Sequence, residues 1–202
     1  MMQELHHHKP KGIADHIALL LVLFARMVAD VFFKSRYGHR AVVLETIAAV
    51  PGMVGAMFQH LRALRHIEDD RGWIRKLLDE AENERMHLMV YVELTKPSLP
   101  EKFVITSAQF IFFTVYMLMY VISPRTGHRI VGYLEEEAIK SYTIFLDQIE
   151  KGLEDDPPAP QVAIDYWHLP EQATLRDVVI ATRADEERHR ETNHAFADTL
   201  AQ

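Results

Sequence analysis

Two copies of a Glu-x-x-His motif are the residues of this sequence best suited to bind a metal. The copies are Glu84 with His87 and Glu186 with His189. Residues three apart in an α-helix lie about one turn apart on the same face, so each pair can offer a carboxylate and an imidazole to one ion. The spacing alone is weak, because it also occurs at residues 4–7 and 191–194. Ligands must be separated from such coincidences by their surroundings.

Helical periodicity indicates which pairs face the protein interior. The stripe through the last pair is mostly apolar and contains Leu175, Val179, Thr182, Glu186, His189, Asn193, Phe196 and Leu200. The stripe through Glu84 is also mostly apolar and contains Ile74, Leu77, Ala81, Leu88 and Tyr91. Glu191 and His194 share a more polar face and are predicted to face water. Burying Glu84 is unfavourable unless a cation pairs with it, and a metal ion would be that cation.

Two further glutamates interrupt apolar helical faces. Glu45 shares its face with small residues at positions 41, 48, 49, 52, 55 and 56, which would let another helix or a cofactor approach closely. Glu135 shares its face with Ala138, Ile139, Tyr142 and Leu146, whereas Glu136 is predicted to look toward Lys140 and Thr143. Glu135 is therefore the predicted ligand. Glu137 is predicted to support the ligands or to contact the substrate.

The predicted ligands follow one another as Glu, Glu-x-x-His, Glu, Glu-x-x-His on four successive helices. They are Glu45, Glu84, His87, Glu135, Glu186 and His189. This is the ligand inventory of helical bundles that hold two metal ions with carboxylates. Oxygen and nitrogen ligands without sulfur suit iron or manganese, and bridging carboxylates can hold two ions close together. The alternative is a bundle stabilised by buried ion pairs.

Six helices are predicted to position these residues. Gly and Pro are sparse, and the long segments between them show helical apolar spacing without strand-like alternation. The predicted helices are 13–34, 39–67, 71–95, 102–122, 127–152 and 172–200, with loops at 96–100 and 154–160. We therefore predict an all-α fold, namely a ferritin-like four-helix bundle of the di-iron or di-manganese type, with two additional hydrophobic helices. No composition shift divides residues 1–202, which are predicted to form one domain with an N-terminal arm at 1–12.

Two predicted helices are apolar enough to contact a membrane. Residues 103–122 carry no charged side chain and could span a hydrocarbon core of ~30 Å. Residues 13–33 include two aspartates and an arginine, which suits a helix lying in the interface. A single crossing by 103–122 would put Glu84 and Glu135 on opposite sides of the bilayer. Both helices are therefore predicted to lie in one leaflet, unless they form a compensating hairpin or are core helices of a soluble protein.

The composition excludes several other kinds of protein. With no cysteine, the chain cannot form disulfides, thiolate zinc sites or iron–sulfur clusters. A formal charge of -7 argues against a nucleic-acid partner. The N-terminus lacks the pattern of a secretory signal or a transit peptide, so the product is expected to stay where it is made. The tract His6–His8 is too short to indicate a metal-binding segment and is given no role.

Four segments closely resemble the alternative oxidase family. They are LETIAAVPGMVGAMFQHLRALR (44–65), DEAENERMHLM (79–89), RIVGYLEEEAIKSYT (129–143) and RADEERHRETNH (183–194). The resemblance implies a non-haem di-iron centre with the same six ligands, in a monotopic homodimer. It also implies a cyanide-insensitive reaction in which two ubiquinols are oxidised while oxygen is reduced by four electrons to water, without proton pumping.

The same resemblance implies roles for residues around the metal. Tyr142 would lie beside the iron pair as a redox-active or hydrogen-bonding residue, the alternative being a core tyrosine with a satisfied hydroxyl. The quinol pocket would be lined by Arg26, Arg40, Leu44, Leu134, Glu137, Ala138 and Ser141. Hydrogen bonds that orient the ligands would come from His60, Asn83, His128, Trp167 and Asp185. His60 and His128 could instead be core histidines.

Three other functions remain open at this point. A di-iron hydroxylase acting on a quinone precursor would insert oxygen into its product. A ferritin-like iron store would oxidise Fe(II) without quinol in a soluble shell, and would not need the apolar run FIFFTVYMLMYVI at 110–122. A non-enzymatic membrane protein would leave the four glutamates unexplained. The short length and the lack of cysteine and of a transit pattern resemble bacterial members, which predicts a location on the cytoplasmic face of a bacterial inner membrane.

Overall fold

All regular elements but one in the described residues are helices. The computed structural model describes residues 7–33 and 37–201. The helices are α1 (Ile13–Phe33), α2 (Tyr37–His66), α3 (Trp73–Thr95), α4 (Leu99–Ile122), α5 (Pro124–Glu150), α6 (Gln161–Trp167) and α7 (Leu175–Thr199). The exception is an isolated bridge between Pro158 and Thr174. The predicted all-α fold is confirmed.

Helix boundaries differ from the prediction mainly where a proline begins a helix. α4 starts inside the predicted loop because Ser98 and Glu101 form a reciprocal capping box around Leu99 and Pro100. Proline is well tolerated in the first turn, where its missing N–H would have no intrahelical partner. α5 likewise begins at Pro124. The short helix α6 was not predicted, since seven residues are too few to show a helical period.

The four helices that carry the predicted ligands form the bundle. α2 packs along α3, and α5 packs along α7, while α2 also contacts α5 and α3 contacts α7. Small residues allow the first pair to approach closely. A Cβ atom at Gly52 would lie 2.5 Å from the carbonyl oxygen of Leu77 and 3.0 Å from the Cβ of Ala81. Gly52 therefore allows α2 and α3 to approach each other closely, about two turns after Glu45.

Helices α1 and α4 lie against the bundle and present apolar side chains outward. α1 contacts α5, and α4 contacts α2 and α5. The exposed apolar side chains include Ile13, Leu20, Phe24, Met27 and Val31 of α1 and Phe103, Phe110, Ile111, Val115, Leu118 and Ile122 of α4. In the described residues, α2 and α4 are long and apolar enough to cross a membrane, but α2 is mostly buried inside the protein and α4 is not. An apolar surface of this extent is typical of a contact with lipid or with another protein.

Candidate metal centre

The structure brings the six predicted ligands together in the middle of the bundle. α2 supplies Glu45, α3 supplies Glu84 and His87, α5 supplies Glu135, and α7 supplies Glu186 and His189. All six side chains are buried, none more than 7% exposed. The six side chains form one cluster because each of the four helices turns the face that carries its ligands toward the axis of the bundle.

The cluster consists of two groups that share two carboxylates. Glu45, Glu84, His87 and Glu186 each offer a ligand atom within 4.8 Å of the others, and so do Glu84, Glu135, Glu186 and His189. Glu84 and Glu186 belong to both groups. Each group adds one further glutamate and one histidine. Two ion positions with shared carboxylates between them are the arrangement of dinuclear carboxylate sites.

The electrostatics of the cluster fit cations. Burial raises the pKa of Glu45 well above its usual range, and the neighbouring carboxylates of Glu84 and Glu186 raise it further. Burial and the same two carboxylates also raise the pKa of Glu135. Among the described residues, Oε2 of Glu84 and Oε2 of Glu186 make no well-formed hydrogen bond, and each lies 3.5 Å from Nδ1 of a predicted ligand histidine. Buried carboxylate oxygens without a donor are unfavourable, and bound metal ions would satisfy them.

Asp185 fixes the orientation of the His87 ring. Its Oδ2 atom lies 3.0 Å from His87 Nε2 and accepts hydrogen bonds from Asn83 Nδ2 at 2.9 Å and Trp167 Nε1 at 2.9 Å. Burial opposes ionisation of Asp185, but these hydrogen bonds outweigh it and lower its pKa to about 2. With Nε2 directed at Asp185, Nδ1 of His87 faces the cluster, 3.2 Å from Oε2 of Glu45. Ligand histidines are commonly oriented in this way.

Tyr142 lies directly beside the cluster. Its buried hydroxyl donates a hydrogen bond to Oε1 of Glu45. Burial and the nearby Glu45 carboxylate raise the pKa of Tyr142 well above its usual range. The ring stacks on Tyr91, with 5.8 Å between the ring centroids. Tyr142 is therefore a protonated phenol in contact with a predicted ligand.

A cavity of about 350 Å³ lies between α1, α4 and the bundle. All seven residues predicted to form the quinol pocket line it, namely Arg26, Arg40, Leu44, Leu134, Glu137, Ala138 and Ser141. Glu135 lines the same cavity, so a molecule bound there would reach the metal cluster. Most of the other lining residues are apolar, including Val22, Ala25, Ile47, Val104 and Phe112. An apolar cavity with a few polar groups is typical of a site for a small organic molecule.

The polar residues of the cavity are held by one another. Arg26 donates a hydrogen bond to Oε2 of Glu137, and Lys140 donates to Oε1 at 2.5 Å. Arg40 donates to Asp30 near the end of α1. The hydroxyl oxygen of Ser141 is buried and has no hydrogen-bond partner among the described residues. That hydroxyl is free to bind a ligand.

Two of the predicted supporting histidines do not contact the ligands. His60 is exposed and lies fifteen residues after Glu45, roughly 22 Å along the axis of α2. The prediction that His60 orients the ligands was wrong, because no side chain spans that distance. His128 is buried and bonds to Asn193 at 2.9 Å, and the Asn193 amide in turn donates to the backbone oxygen of His189. Its contacts with the ligand helix α7 are therefore with Asn193 and Phe196, not with a predicted ligand side chain.

Two side chains predicted to face away from the interior are buried. His194 Nε2 lies 3.0 Å from Oε1 of Glu136, and both side chains are less than 10% exposed. The prediction failed because α5 and α7 turn these two side chains toward each other and the arm before α1 covers them. His7 Nδ1 lies 2.5 Å from Glu136 Oε2, and the His8 ring stacks on His194. His7 and His8 therefore have a structural contact that the sequence did not indicate. His6 and Glu4 lie outside the described residues.

Glu80 is a residue near the cluster that the sequence interpretation missed. It lies one turn before Glu84 on α3 and is buried, and Asn193 Nδ2 lies 2.8 Å and 3.0 Å from its two oxygens. Burial raises the pKa of Glu80 to about 7, although the nearby His189 and the hydrogen bonds from Asn193 oppose the shift. Its spacing of four residues from Glu84 could have revealed it, since such residues share a helix face.

Fold and site together define a class of protein: a helical bundle whose buried glutamates and histidines could hold metal, with apolar helices beside it. The family model for alternative oxidase matches residues 1–198. The chain therefore belongs to the alternative oxidase family.

Individual relatives agree with this assignment. Alternative oxidase 3, mitochondrial, of Glycine max is 55% identical over 192 residues, which are 95% of this chain and 59% of that protein. Ubiquinol oxidase 2, mitochondrial, of Arabidopsis thaliana is 55% identical over 192 residues, which are 95% of this chain and 54% of that protein. Ubiquinol oxidase, mitochondrial, of Batrachochytrium dendrobatidis is 55% identical over 194 residues, which are 96% of this chain and 61% of that protein. The chain thus spans about three fifths of the length of these relatives.

The relatives correct the predicted location. A bacterial inner membrane was wrong, because these plant and fungal relatives are named mitochondrial proteins. The prediction had relied on short length and on the lack of cysteine and of a transit pattern. Those features describe a sequence that matches only part of its relatives, so they carry no information about the compartment.

Proposed function

We propose that this chain is the catalytic domain of a ubiquinol oxidase, in which two quinols become quinones while one oxygen molecule becomes two water molecules. One observation carries the proposal. The cavity beside α1 and α4 has Glu135, a predicted metal ligand, in its wall. A reductant in the cavity and a metal at the cluster would therefore be in contact. The names of the relatives, two of which are ubiquinol oxidases, support the same reaction. Residues 1–202 would form this one domain, with 1–12 as its N-terminal arm.

The six clustered residues would hold two iron ions. Glu45 and His87 would bind one ion, Glu135 and His189 the other, and the shared residues Glu84 and Glu186 would bridge them. When bound, the ions supply the electron transfer that oxygen reduction requires. The chain itself excludes water by burial and holds His87 in the correct orientation through Asp185.

The quinol head group would bind among the polar residues of the cavity. Ser141 offers an unpaired hydroxyl, and the paired Arg26 and Glu137 offer a donor and an acceptor. A quinol hydroxyl that donates to Glu137 has an acceptor for the proton it loses on oxidation. Tyr142, which donates to Glu45, would hold a proton beside the metal and be able to release an electron with it. The isoprenoid tail would extend among apolar residues such as Val22 and Phe112.

The outward faces of α1 and α4 would lie in one leaflet of the membrane. Their exposed apolar residues lie on the same two helices that cover the cavity. A monotopic attachment keeps all six ligands on one side of the bilayer, which a single crossing by α4 would not. It also lets a lipid-soluble quinol enter the cavity from the hydrocarbon region.

A second copy of the chain would bind to a different surface. Met53, Met57, Leu61 and Leu64 form an exposed stripe on α2 with helical spacing. Leu78 and Met89 on the neighbouring α3 are exposed as well. Two such stripes facing each other would bury apolar area in a symmetric homodimer. Sedimentation of the detergent-solubilised chain would test this, since Met57→Lys with Leu61→Lys should convert a dimer into a monomer.

Oxygen uptake by proteoliposomes tests the proposed reaction. Iron-loaded wild type supplied with ubiquinol and cyanide should consume one oxygen molecule for every two quinols oxidised. Glu84→Ala should abolish uptake, because it removes a ligand shared by both groups. Glu82→Ala is the matched control, since Glu82 is an exposed glutamate on the same helix. The proposal fails if iron-loaded wild type takes up no oxygen from quinol.

Isotope labelling distinguishes the oxidase from a quinone hydroxylase. With ¹⁸O₂, an oxidase transfers the label to water and leaves the quinone product at its unlabelled mass. A hydroxylase would add labelled oxygen to the product. The labelled product would replace the oxidase with the hydroxylase as the function of this site.

A further inference from the structure

Tyr91 is a fully buried tyrosine behind Tyr142 for which the proposed reaction gives no role. It lies on α3, one turn after His87, and its ring stacks on that of Tyr142 at an interplanar angle of 20°. Its hydroxyl is directed toward the hydroxyls of Tyr142 and Thr182. Neither the Tyr91 hydroxyl nor that of Thr182 reaches good hydrogen-bond geometry with a described residue.

Packing alone does not account for a tyrosine at this position. The surrounding core is apolar and includes Val90, Phe145, Val178 and Val179. A buried hydroxyl without a good partner destabilises a fold. Phenylalanine would fill the same space without that penalty. Unlike the unpartnered hydroxyl of Tyr116, this hydroxyl is directed toward that of Tyr142, which points to a role in the chemistry of its neighbour.

The two tyrosines differ in their position relative to the substrate cavity. Tyr142 lines a small void together with Arg40, Leu44 and Ser141, three residues that also line the large cavity. Tyr91 does not line either of these cavities and lies behind Tyr142 in the core. An oxidised Tyr142 would be next to the quinol, whereas an oxidised Tyr91 would be shielded from it.

We propose that Tyr91 is a second redox-active tyrosine that exchanges a hydrogen atom with Tyr142. The inference rests on the proposed function. Tyr142 first loses one electron to the oxidised metal centre and its phenolic proton to Oε1 of Glu45. The Tyr142 radical then takes an electron and a proton from the Tyr91 hydroxyl, so an O–H bond breaks at Tyr91 and forms at Tyr142. Tyr91 is oxidised by one electron, Tyr142 is reduced by one, and no further reactant is needed.

This exchange would restore Tyr142 while the oxidising equivalent is kept in the core. The restored phenol would lie beside Oε1 of Glu45, which keeps the proton that Tyr142 first released. Thr182, on α7, would donate a hydrogen bond to the Tyr91 oxygen and so stabilise the radical there. The pair would hold the equivalent until a quinol enters the cavity.

Electron paramagnetic resonance of freeze-quenched samples tests the exchange. Iron-loaded protein is reduced chemically, mixed with oxygen in the absence of quinol, and frozen within milliseconds. Wild type should give a tyrosyl radical signal with contributions from both residues, which the single variants separate. Tyr91→Phe should lose one contribution and show a radical that decays faster. Tyr142→Phe should lose both.

Tyr116→Phe is the matched control. Tyr116 is another fully buried tyrosine whose hydroxyl has no hydrogen-bond partner among the described residues, and it packs in a different core cluster. Its variant should give the wild-type spectrum. Thr182→Val keeps both tyrosines and should shift the signal assigned to Tyr91, which a purely packing role of Tyr91 would not explain.

The inference is overturned if wild type and Tyr91→Phe give superimposable spectra and equal decay, or if wild type forms no tyrosyl radical. Because this experiment contains no quinol, it is independent of the oxygen-uptake test. A chain that fails to oxidise quinol would refute the proposed function, and the radical spectra would still decide the role of Tyr91.

Discussion

Replacing Asp185 with asparagine should weaken iron binding without removing a ligand. The substituted side chain can direct its carbonyl oxygen at the three donors that Asp185 Oδ2 now faces, and its amide would then face Arg188, which now donates to Asp185 Oδ1. The hydrogen bonds to His87, Asn83 and Trp167 can persist, but the negative charge is lost. Removing such a partner of a ligand histidine typically reduces metal affinity 10–100-fold, which corresponds to about 1.4–2.7 kcal/mol. We expect a loss of that size for Asp185→Asn.

The same charge contributes to folding of the metal-free chain. Hydrogen bonds from His87 and its neighbours outweigh burial and depress the pKa of Asp185 from 3.8 to about 2. A depressed carboxyl pKa stabilises the fold at pH values above 3.8, and this contribution is lost as the pH falls toward 2. The shift corresponds to about 2 kcal/mol at neutral pH. Asp185→Asn should lower the free energy of unfolding by about that amount at pH 7.

Anaerobic titration with Fe(II) against a competing chelator measures the affinity, and urea unfolding of the metal-free chain measures stability. Glu191→Gln is the matched control, because Glu191 lies on the same helix with its side chain 74% exposed. The control should behave as wild type in both assays. An Asp185→Asn variant that binds Fe(II) as tightly as wild type would refute the role assigned to Asp185 in orienting His87.

Three further substitutions test other parts of the structure. Gly52→Ala places a Cβ 2.5 Å from the Leu77 carbonyl oxygen, so we expect urea unfolding to show a loss of about 1–3 kcal/mol; wild-type stability would contradict the close approach of α2 and α3. Burial lowers the pKa of His128 to about 4, so the free energy of unfolding should fall by about 2 kcal/mol from pH 7 to pH 5. The fall should be smaller in His128→Gln, and an equal fall in wild type and variant would exclude this histidine as the cause. Val115→Asp combined with Leu118→Asp on the exposed face of α4 should release the chain from liposomes in a flotation assay, and undiminished flotation would refute membrane contact by α4.

The metal cluster could be predicted from the sequence because charged residues are conspicuous on an apolar helical stripe. Glu84 and Glu186 each interrupt such a stripe, and so do Glu45 and Glu135. Periodicity alone placed them inward, and the structure brings them together. Their role as iron ligands, and the roles of Tyr142 and of the cavity residues, remain predictions for the experiments above.

Features that depend on contacts distant in sequence could not be predicted in this way. His194 faces a side of α7 that would be solvated in an isolated helix, yet Arg129 and Glu136 of α5 cover it together with His8. Gly132 provides the space for the His194 ring, because a Cβ at this position would lie 2.5 Å from the ring. Periodicity describes one helix at a time and therefore cannot show which polar faces another segment will bury.

If the chain oxidises quinol as proposed, the position of the cavity between α1, α4 and the bundle makes the membrane the source of its substrate. A quinol that enters through the apolar surface of these helices never passes through water, so its effective concentration is its mole fraction in the lipid. Diluting the protein and its lipid together in buffer should leave turnover unchanged. Adding quinol-free lipid should slow it, although the amount of quinol in the tube stays the same. For this chain, substrate availability would be a property of the membrane's composition.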